Sequence, residues 1–175
     1  SEIAKMNGND SIASVFEQRA KNYMQYFNSE TGFMRGKNAD NSWVKPFNPK
    51  FSSHTSSPYV EGNAWQWTWF VPHDVEGLIK LYNGKENFTA KLDSLFTTSS
   101  EIEGEDASGD ITGLIGQYAH GNEPSHHIAY FYTLAGQPWK TQELADQILN
   151  EFYSSKPDGV IGNEDCGQMS AWYIL

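Results

Sequence analysis

The chain is 175 residues long and carries a formal net charge of −10, because 22 Asp and Glu residues stand against 12 Lys and Arg. Nucleic-acid surfaces depend on clustered Lys and Arg, so this composition argues against a nucleic-acid partner. The length suffices for one domain with a hydrophobic core. No run of 18 apolar residues is present, and the sequence therefore predicts no membrane span.

The cysteine content and the two ends of the sequence limit the remaining classes. The single cysteine, Cys166, excludes an internal disulfide framework. The first residues contain no apolar signal segment, so any export signal would be encoded upstream. Residues 169–175 become increasingly apolar and stop without a Gly, Asn or basic cap. We therefore expect the chain to be a piece of a longer protein.

The first predicted helix has an apolar stripe at i, i+3, i+4, i+7 spacing that runs from Ile12 to Phe27. Asp10 or Ser11 is its expected cap, and residues 28–32 are expected to end it. Residues 32–58 keep no period and are rich in Asn, Ser and Pro. This pattern predicts a long ordered loop or paired short strands, and loops of this length are often functional.

Helical periodicity returns in the rest of the chain. Helices are predicted over residues 63–70, 73–82, 85–96 and 124–135, then from Pro138, with Thr141 as candidate cap, to Phe152, and finally from near Gly167. Residues 97–109 form an acidic loop in which no register matches an EF-hand. No alternating strand is long enough to build a sheet around. The predicted class is mainly α, with helix pairs whose long loops meet at a site, as in an α/α toroid.

Three polar clusters are the candidates for that site. They are Tyr59-Val60-Glu61-Gly62-Asn63-Ala64-Trp65-Gln66-Trp67, His120-Gly121-Asn122-Glu123-Pro124-Ser125-His126-His127 and Gly162-Asn163-Glu164-Asp165-Cys166-Gly167-Gln168-Met169-Ser170. Each places acids beside aromatic rings or glycine turns. Together they are typical of a site that cleaves carbohydrate.

Glu61 is the candidate general acid of the first cluster. The rings of Tyr59, Trp65 and Trp67 could exclude water from its carboxyl and favour the protonated form, which a general acid needs in order to protonate a leaving oxygen. The alternative is that Glu61 only accepts hydrogen bonds from backbone N–H groups at the start of the helix near Asn63.

Asn122 and Glu123 are candidate metal ligands of the second cluster. Adjacent amide and carboxylate oxygens are hard ligands of the type that calcium takes. Helix capping at the turn before Pro124 is a strong alternative. Zinc on His120, His126 and His127 is disfavoured, since these histidines include no i, i+4 pair and the lone cysteine is distant in sequence.

Asp165 is the candidate base of the third cluster, since two consecutive acids exceed what a helix cap needs. A carboxylate on this glycine-flanked turn could activate water. Cys166 could act as a nucleophile only beside a base that generates the thiolate, and a small buried side chain is the more ordinary interpretation.

The three motifs resemble glycoside hydrolase family 92, the calcium-dependent, inverting exo-α-mannosidases. The matching residues are Glu61-Gly62-Asn63-Ala64-Trp65-Gln66, His120-Gly121-Asn122-Glu123-Pro124-Ser125-His126-His127, Glu164-Asp165 and Gly167-Gln168-Met169-Ser170-Ala171-Trp172. The resemblance implies that the fold is the later part of an (α/α)6 barrel, so that residues 1–175 are a partial catalytic domain. The N-terminal β-sandwich and the remaining barrel helices of the family would be missing partners of this chain.

The resemblance also implies roles for individual residues. Glu61 would be the general acid and Asp165 the general base, with their carboxyls roughly 6.5–9.5 Å apart to admit water. Calcium would be the cofactor. The implied ligands of this ion are Asn122 and Glu123, and the implied substrate-binding residues are Trp65, His126 and Asn163.

The implied substrate is a mannose-containing glycan, and the implied location of the full-length protein is secreted or periplasmic. We expect the 175-residue chain alone to be inactive or nearly so. One departure concerns Asn163, where many family members carry Asp, and it removes a charge near the proposed base. The alternatives are a non-catalytic helical glycan-binding module and a metal-independent α/α-toroid glycoside hydrolase.

Overall fold

The chain is mainly α-helical, as predicted. The structure, a computed structural model, describes residues 1–174. Its helices are α1 (Glu2–Met6), α2 (Asp10–Ala20), α3 (Ala64–Trp67), α4 (Val75–Leu81), α5 (Lys85–Thr97), α6 (Phe131–Ala135), α7 (Pro138–Phe152) and α8 (Gln168–Ile174). Three 3-10 helices cover Asn22–Tyr26, Glu123–Ser125 and Ile128–Tyr130. No helix in this part of the chain is long and apolar enough to cross a membrane.

Regular strands are few and short within residues 1–174. Strand β1 (Phe27–Asn28) pairs antiparallel with β2 (Phe33–Met34), in the register Phe27 opposite Met34. Strand β3 (Leu114–Ile115) pairs antiparallel with β4 (Tyr118–Ala119). Residues 1–174 do not by themselves close into an (α/α)6 barrel, so that part of the fold class stays a prediction.

Helix α2, which corresponds to the first helix predicted from sequence, is shorter than the predicted apolar stripe, and the short helix α1 before it was not predicted. Helix α2 ends at Ala20 and is capped by Asn9, whose side chain accepts from the Ile12 N–H. The predicted cap at Asp10 or Ser11 and the predicted end at residues 28–32 are therefore wrong. Within residues 1–174 the stripe residues Ile12, Val15 and Phe16 are 46–50% exposed, so no core packing there extends the helix. Residues 22–26 continue as a 3-10 helix, from which the Tyr23 hydroxyl donates to Asp74 at 2.9 Å.

The loop over residues 32–58 combines the two predicted alternatives. It begins with β2 and then runs without further regular strand, apart from isolated bridges that join Lys37 to Trp43 and Phe51 to Glu103. The last bridge and a hydrogen bond from the Ser52 N–H to the Glu103 carbonyl at 2.8 Å fasten the loop to the predicted acidic segment. The loop is thus ordered by contacts to a distant part of the sequence.

Helices α4 and α5 confirm the predictions for residues 73–82 and 85–96 to within two residues at each end. Asp74 caps α4, because its side chain accepts from the Gly77 N–H at 3.0 Å. Asn83 and Gly84 both have positive φ and separate the two helices, as their sequence predicts. Helix α3 stops at Trp67, three residues before the predicted end.

The predicted helix over residues 124–135 is wrong in its first half. Two 3-10 turns precede α6, which begins only at Phe131. Two side chains in this stretch bond to backbone outside it. The His126 ring bonds to the His120 carbonyl at 3.0 Å, and the His127 ring bonds to the Trp69 carbonyl at 2.8 Å. These bonds favour the tighter turns over a continuous helix.

Helix α7 starts at Pro138, so Thr141 is not its cap. The Thr141 hydroxyl is buried and donates to the Ala129 carbonyl at 2.8 Å. Helix α8 begins at Gln168, which confirms the predicted start near Gly167, and its last predicted residue, Leu175, lies outside the described residues.

The core lies between α4, α5, α6 and α7. Its fully buried large side chains are Trp69, Leu78, Phe88, Leu92, Leu95, Tyr118, Ile128, Phe131, Tyr132 and Ile148. Trp69 and Phe88 pack edge to face at 5.5 Å between ring centroids, a geometry that favours aromatic pairs. The loops that enter α3, leave β4 and precede α8 meet outside this core.

Candidate active site

The loop that carries Glu61 has an unfavourable backbone conformation at Glu61 and is held in place by a capping box at Asn63. Glu61 has φ +51, and its side chain is exposed. The Trp67 indole N–H donates to the Val60 carbonyl at 2.7 Å. Asn63 accepts from the Trp65 N–H at 2.9 Å, and the Gln66 side chain accepts from the Asn63 N–H at 2.7 Å. The helix start is therefore satisfied without Glu61, which overturns the capping alternative for that residue.

The aromatic residues near Glu61 do not enclose its carboxyl in this chain. The Tyr59 hydroxyl donates to the Met34 carbonyl at 2.6 Å. Trp65 is 8% exposed and packs edge to face on Phe33 at 4.8 Å. The expected exclusion of water by these rings is therefore not provided by residues 1–174. Trp65 has a packing role here, and its contact with substrate stays a prediction.

A buried amide network fixes the Glu61 loop to β4. The Gln117 side chain is fully buried and accepts from the Asn63 side chain at 2.9 Å. It donates to the Ser99 and Glu101 carbonyls at 2.8 and 2.9 Å. The Gln66 side chain donates to the Gln117 carbonyl at 2.6 Å. Sequence reasoning missed Gln117, because no local pattern distinguishes a buried amide from a surface one.

We expect Gln117→Leu to destabilise the chain by about 1–3 kcal/mol, because it removes the acceptor of the buried Asn63 amide and the bonds to the Ser99 and Glu101 carbonyls. Gln142→Leu on the exposed side of α7 is the matched control and should change stability by less than about 0.5 kcal/mol. Urea denaturation of both variants measures the difference. Equal midpoints for the two variants would contradict the role given to the network.

Asn122 joins the second cluster to the first. Its side-chain amide donates to the Glu61 carbonyl oxygen at 2.9 Å. It precedes the 3-10 helix Glu123–Ser125 and makes no side-chain capping bond, so the capping alternative is overturned for Asn122. Because the amide nitrogen of Asn122 makes this bond, its amide oxygen is the atom of the side chain that can act as an acceptor.

Glu123 provides an oxygen that suits a hard cation. Its Oε1 is buried and makes no hydrogen bond. A buried carboxylate oxygen without a partner is costly unless a cation or a donor compensates it, and calcium prefers carboxylate and amide oxygens. The residues present therefore fit the ion that the family resemblance implies. Residues 1–174 contain no group of three or more His, Cys, Asp or Glu side chains placed to hold a metal, so Asn122 and Glu123 would be only part of the ligand set of an ion.

His120 links the second cluster to the helices that follow it. It is fully buried, with Nδ1 2.8 Å from the Tyr118 hydroxyl and Nε2 2.7 Å from the Tyr153 hydroxyl. The Tyr153 hydroxyl also donates to the Met169 carbonyl at 3.1 Å. Burial favours the neutral imidazole, and in the tautomer with the proton on Nε2 this nitrogen donates to Tyr153 while Nδ1 accepts from Tyr118.

Helix α8 docks on the same segment. The Trp172 indole N–H donates to the His126 carbonyl at 3.1 Å, and its ring lies 4.5 Å from the His120 ring, edge to face. The helix that follows Asp165 is therefore fixed to the turn that carries Asn122. His126 is buried and bonds to backbone; its contact with substrate stays a prediction.

The buried histidines predict a pH dependence of stability. Burial lowers the pKa of His120 to about 3 and lowers those of His126 and His127. Below about pH 6.5 the unfolded chain takes up protons that the folded chain does not. The free energy of unfolding should therefore fall as the pH drops from about 6.5 towards 3, by about 2 kcal/mol between pH 7 and pH 5 for His120 alone.

Urea denaturation at pH 7 and at pH 5 checks this dependence. His120→Gln should reduce the pH dependence, whereas His54→Gln, at an exposed position, should leave it unchanged. An unfolding free energy that does not change between the two pH values in the unmodified chain would be inconsistent with a neutral buried His120.

The third cluster packs directly on the second. Gly162 lies so close to the Gly121 carbonyl that a side chain would not fit, and a side chain on Gly113 would reach 3.2 Å from the Gly121 nitrogen. The Asn163 amide donates to Asp110 at 3.0 Å. Sequence reasoning missed Asp110, whose link to Asn163 spans 53 positions. Contact of Asn163 with substrate stays a prediction.

Asp165 lies in a strained turn. Glu164, Asp165 and Cys166 all have positive φ, at 65°, 28° and 61°, and this conformation costs non-glycine residues about 1–2 kcal/mol each. The start of α8 is bonded to the Glu164 carbonyl, and Asp165 is exposed. Strain of this kind is concentrated at functional sites. Cys166 is exposed, so its interpretation as a small buried side chain is wrong.

Comparison with known proteins identifies the family of the chain. The model of the glycosyl hydrolase family 92 catalytic domain matches residues 1–175. The structure is similar to the family GH92 α-mannosidase BT3965 of Bacteroides thetaiotaomicron in complex with mannoimidazole, with a TM-score of 0.87 and 43% identity over 98% of this chain and 23% of that one.

Two further relatives extend the comparison. The family GH92 inverting mannosidase BT2199 of Bacteroides thetaiotaomicron has a TM-score of 0.77 and 37% identity, over 98% of this chain and 24% of that one. An uncharacterized secreted glycosidase of Arthroderma benhamiae is 27% identical over 90% of this chain and 21% of that protein. The chain belongs to glycosyl hydrolase family 92. It spans about a quarter or less of the length of these relatives.

Proposed function

We propose that the full-length protein is a calcium-dependent, inverting exo-α-mannosidase, and that this chain supplies its acid, its base and part of its calcium site. The bond from Asn122 to the Glu61 carbonyl, at 2.9 Å, carries the proposal. Gly121, which is next to Asn122, packs against Gly162 in the segment before Asp165. One turn therefore lies between the loops of the two carboxylates, which suits a reaction that needs both.

In this proposal Glu61 and Asp165 act on opposite faces of the sugar ring. Glu61 protonates the glycosidic oxygen as the bond to the anomeric carbon breaks. Asp165 takes a proton from the water that attacks this carbon from the other face, and the released mannose is the β-anomer. Room for water requires the two carboxyls to be roughly 6.5–9.5 Å apart, a separation that stays a prediction.

Asn122 and Glu123 would hold the calcium ion. When bound, the ion would supply positive charge for sugar hydroxyls and favour distortion of the ring towards an oxocarbenium-like state. The support for this assignment is the unpartnered buried Oε1 of Glu123 and the orientation of Asn122, whose amide nitrogen is used by Glu61. The protein's own contribution is to fix these oxygens relative to Glu61 through a short, bonded turn.

The proposed substrate is the mannose terminus of a glycan, and the proposed location is secreted or periplasmic. The names of the related α-mannosidases support the substrate. The name of the fungal relative, a secreted glycosidase, supports export.

The proposal is tested by incubating the full-length protein with an aryl α-mannoside in the presence of calcium and following the product by proton NMR. We expect β-mannose to appear first, before mutarotation, and the isolated 175-residue chain to show no turnover. Mannan binding without hydrolysis would favour a glycan-binding module, and hydrolysis unaffected by a chelator would favour a metal-independent hydrolase. Either result, or α-mannose as the first product, would overturn the proposal.

A further inference from the structure

A basic segment lies next to the Glu61 loop of this acidic protein. Residues 33–60 contain four Lys and Arg residues and a single acidic residue, Asp40, whereas the whole chain has a net charge of −10. A local excess of positive charge in an acidic chain favours the binding of anions at that place. The four basic residues are Arg35, Lys37, Lys45 and Lys50.

Arg35 is the buried member of this segment. It is 9% exposed, its Nη2 donates to the Val44 carbonyl at 3.0 Å, and its Nε makes no hydrogen bond. Within residues 1–174 no Asp or Glu oxygen forms an ion pair with it. The guanidinium instead lies over the Phe47 ring at 4.2 Å and the Trp43 ring at 5.5 Å.

These contacts do not fully offset the burial of the charge. Cation–π contacts contribute about 0.5–2 kcal/mol, whereas removing an ion from water costs several kcal/mol. The neighbouring Tyr59 cannot serve as the counter-ion, because burial raises its pKa and its hydroxyl donates to the Met34 carbonyl. Within residues 1–174 the guanidinium therefore has no anionic partner to offset its burial.

A cavity of about 360 Å³ lies against this guanidinium. Arg35 and Lys45 are its cations, and its other walls include Phe47, Asn48, Phe51 and Tyr59. Ligand sites have volumes of about 300–1,000 Å³, so the cavity has room for an anionic group together with part of a sugar. Aromatic rings beside polar groups suit that combination.

The cavity adjoins the loop that carries the candidate acid. Arg35, Gly36, Pro58 and Tyr59 also line a second cavity of about 320 Å³, and Tyr59 lies two residues before Glu61 in the fixed loop. An anion bound at Arg35 would therefore lie beside the loop that carries Glu61, since Tyr59 lines both cavities and Val60 lines the second.

We infer that the Arg35 cavity is an anion-binding subsite for a phosphate, sulfate or carboxylate group. Its use for an anionic substituent on the glycan rests on the proposed mannosidase function, whereas the binding of an anion does not. A guanidinium binds such groups through two parallel N–H bonds, and Lys45 at the cavity rim adds a second charge.

Calorimetric titration of the full-length protein with inorganic phosphate, sulfate, acetate, mannose and a mannose monophosphate tests this inference. We expect at least one of the inorganic or carboxylate anions to bind, and the mannose monophosphate to bind more tightly than phosphate or mannose alone. Arg35→Met should weaken anion binding at least tenfold, and Lys45→Gln several-fold. Lys80→Gln, at an exposed position on α4, should have no effect.

Lys45 is exposed, so Lys45→Gln keeps the test valid if Arg35→Met does not fold. Absence of anion binding, or binding that is equal in the protein and in the folded variants, would overturn the inference. Equal binding of phosphate and mannose monophosphate would leave an anion site and remove its use for a glycan. Anion binding without hydrolysis of any mannoside would contradict the proposed function but not the anion site.

Discussion

Glu61→Gln in the full-length protein is expected to lower kcat/KM for an alkyl α-mannoside about 10²- to 10⁴-fold, the usual contribution of a general acid. The amide keeps the shape of the side chain but cannot donate a proton of the required acidity. The loss should be much smaller for a dinitrophenyl α-mannoside, because that leaving group departs without protonation.

The comparison of the two leaving groups separates chemistry from folding. A misfolded variant would lose activity on both substrates alike. Glu105→Gln, an exposed acid in the neighbouring loop, is the matched control and should retain full activity on both. An unchanged rate for Glu61→Gln on the alkyl mannoside would refute the assignment of the general acid.

The second expected result concerns calcium. The paired variant Asn122→Ala, Glu123→Ala should lose one calcium-binding event in calorimetry and, with it, hydrolysis of an aryl α-mannoside. The reason is that the pair supplies a carboxylate oxygen without a protein partner and an amide oxygen beside the Glu61 loop, and oxygen donors of this kind are the ligands of calcium.

An equivalent Asn–Glu pair on α7 provides the control. Asn150→Ala, Glu151→Ala makes the same change at exposed positions and should alter neither calcium binding nor hydrolysis. If calcium binding and hydrolysis persist in the Asn122→Ala, Glu123→Ala variant, these two residues have only a structural role in the turn. The assignment of the metal site would then fail.

The helices that could be predicted from sequence are those whose ends carry their own signals. Asn83 and Gly84 separate α4 from α5, and Gly167 precedes α8, because these positions need a backbone conformation that the local sequence favours. The stripe from Ile12 to Phe27 was misleading, since spacing alone cannot show that the α-helix gives way after Ala20 to a 3-10 helix in which Tyr23 bonds to Asp74.

In the candidate site, too, the features marked by local sequence could be predicted, and the contacts between residues far apart in sequence could not. The turns that carry Glu61, Asn122 and Asp165 were predictable because glycines and polar neighbours mark them, whereas the roles of these residues stay predictions. The links that assemble these turns were not predictable: Gln117 to Asn63 spans 54 positions and Asp110 to Asn163 spans 53. The buried position of Trp65 was likewise hidden, because an aromatic residue beside an acid has the same sequence pattern in a core and in a sugar-binding wall.

The presence of an amide rather than a carboxylate at position 163 has a physical consequence. Its amide donates to Asp110, whereas an aspartate at this position would place two carboxylates together. Like charges at such a distance raise the pKa of one of them. The asparagine therefore allows the Asp110 contact to hold the segment before Asp165 without competition between acids.

The most direct test of the account is a crystal structure of the full-length protein with calcium and a mannose-configured inhibitor. We predict oxygens of Asn122 and Glu123 on the ion and Glu61 and Asp165 carboxyls roughly 6.5–9.5 Å apart on opposite faces of the sugar. Carboxyls about 5 Å apart, as in retaining enzymes, or an ion held elsewhere, would contradict the central claim that this chain supplies the acid, the base and the calcium ligands.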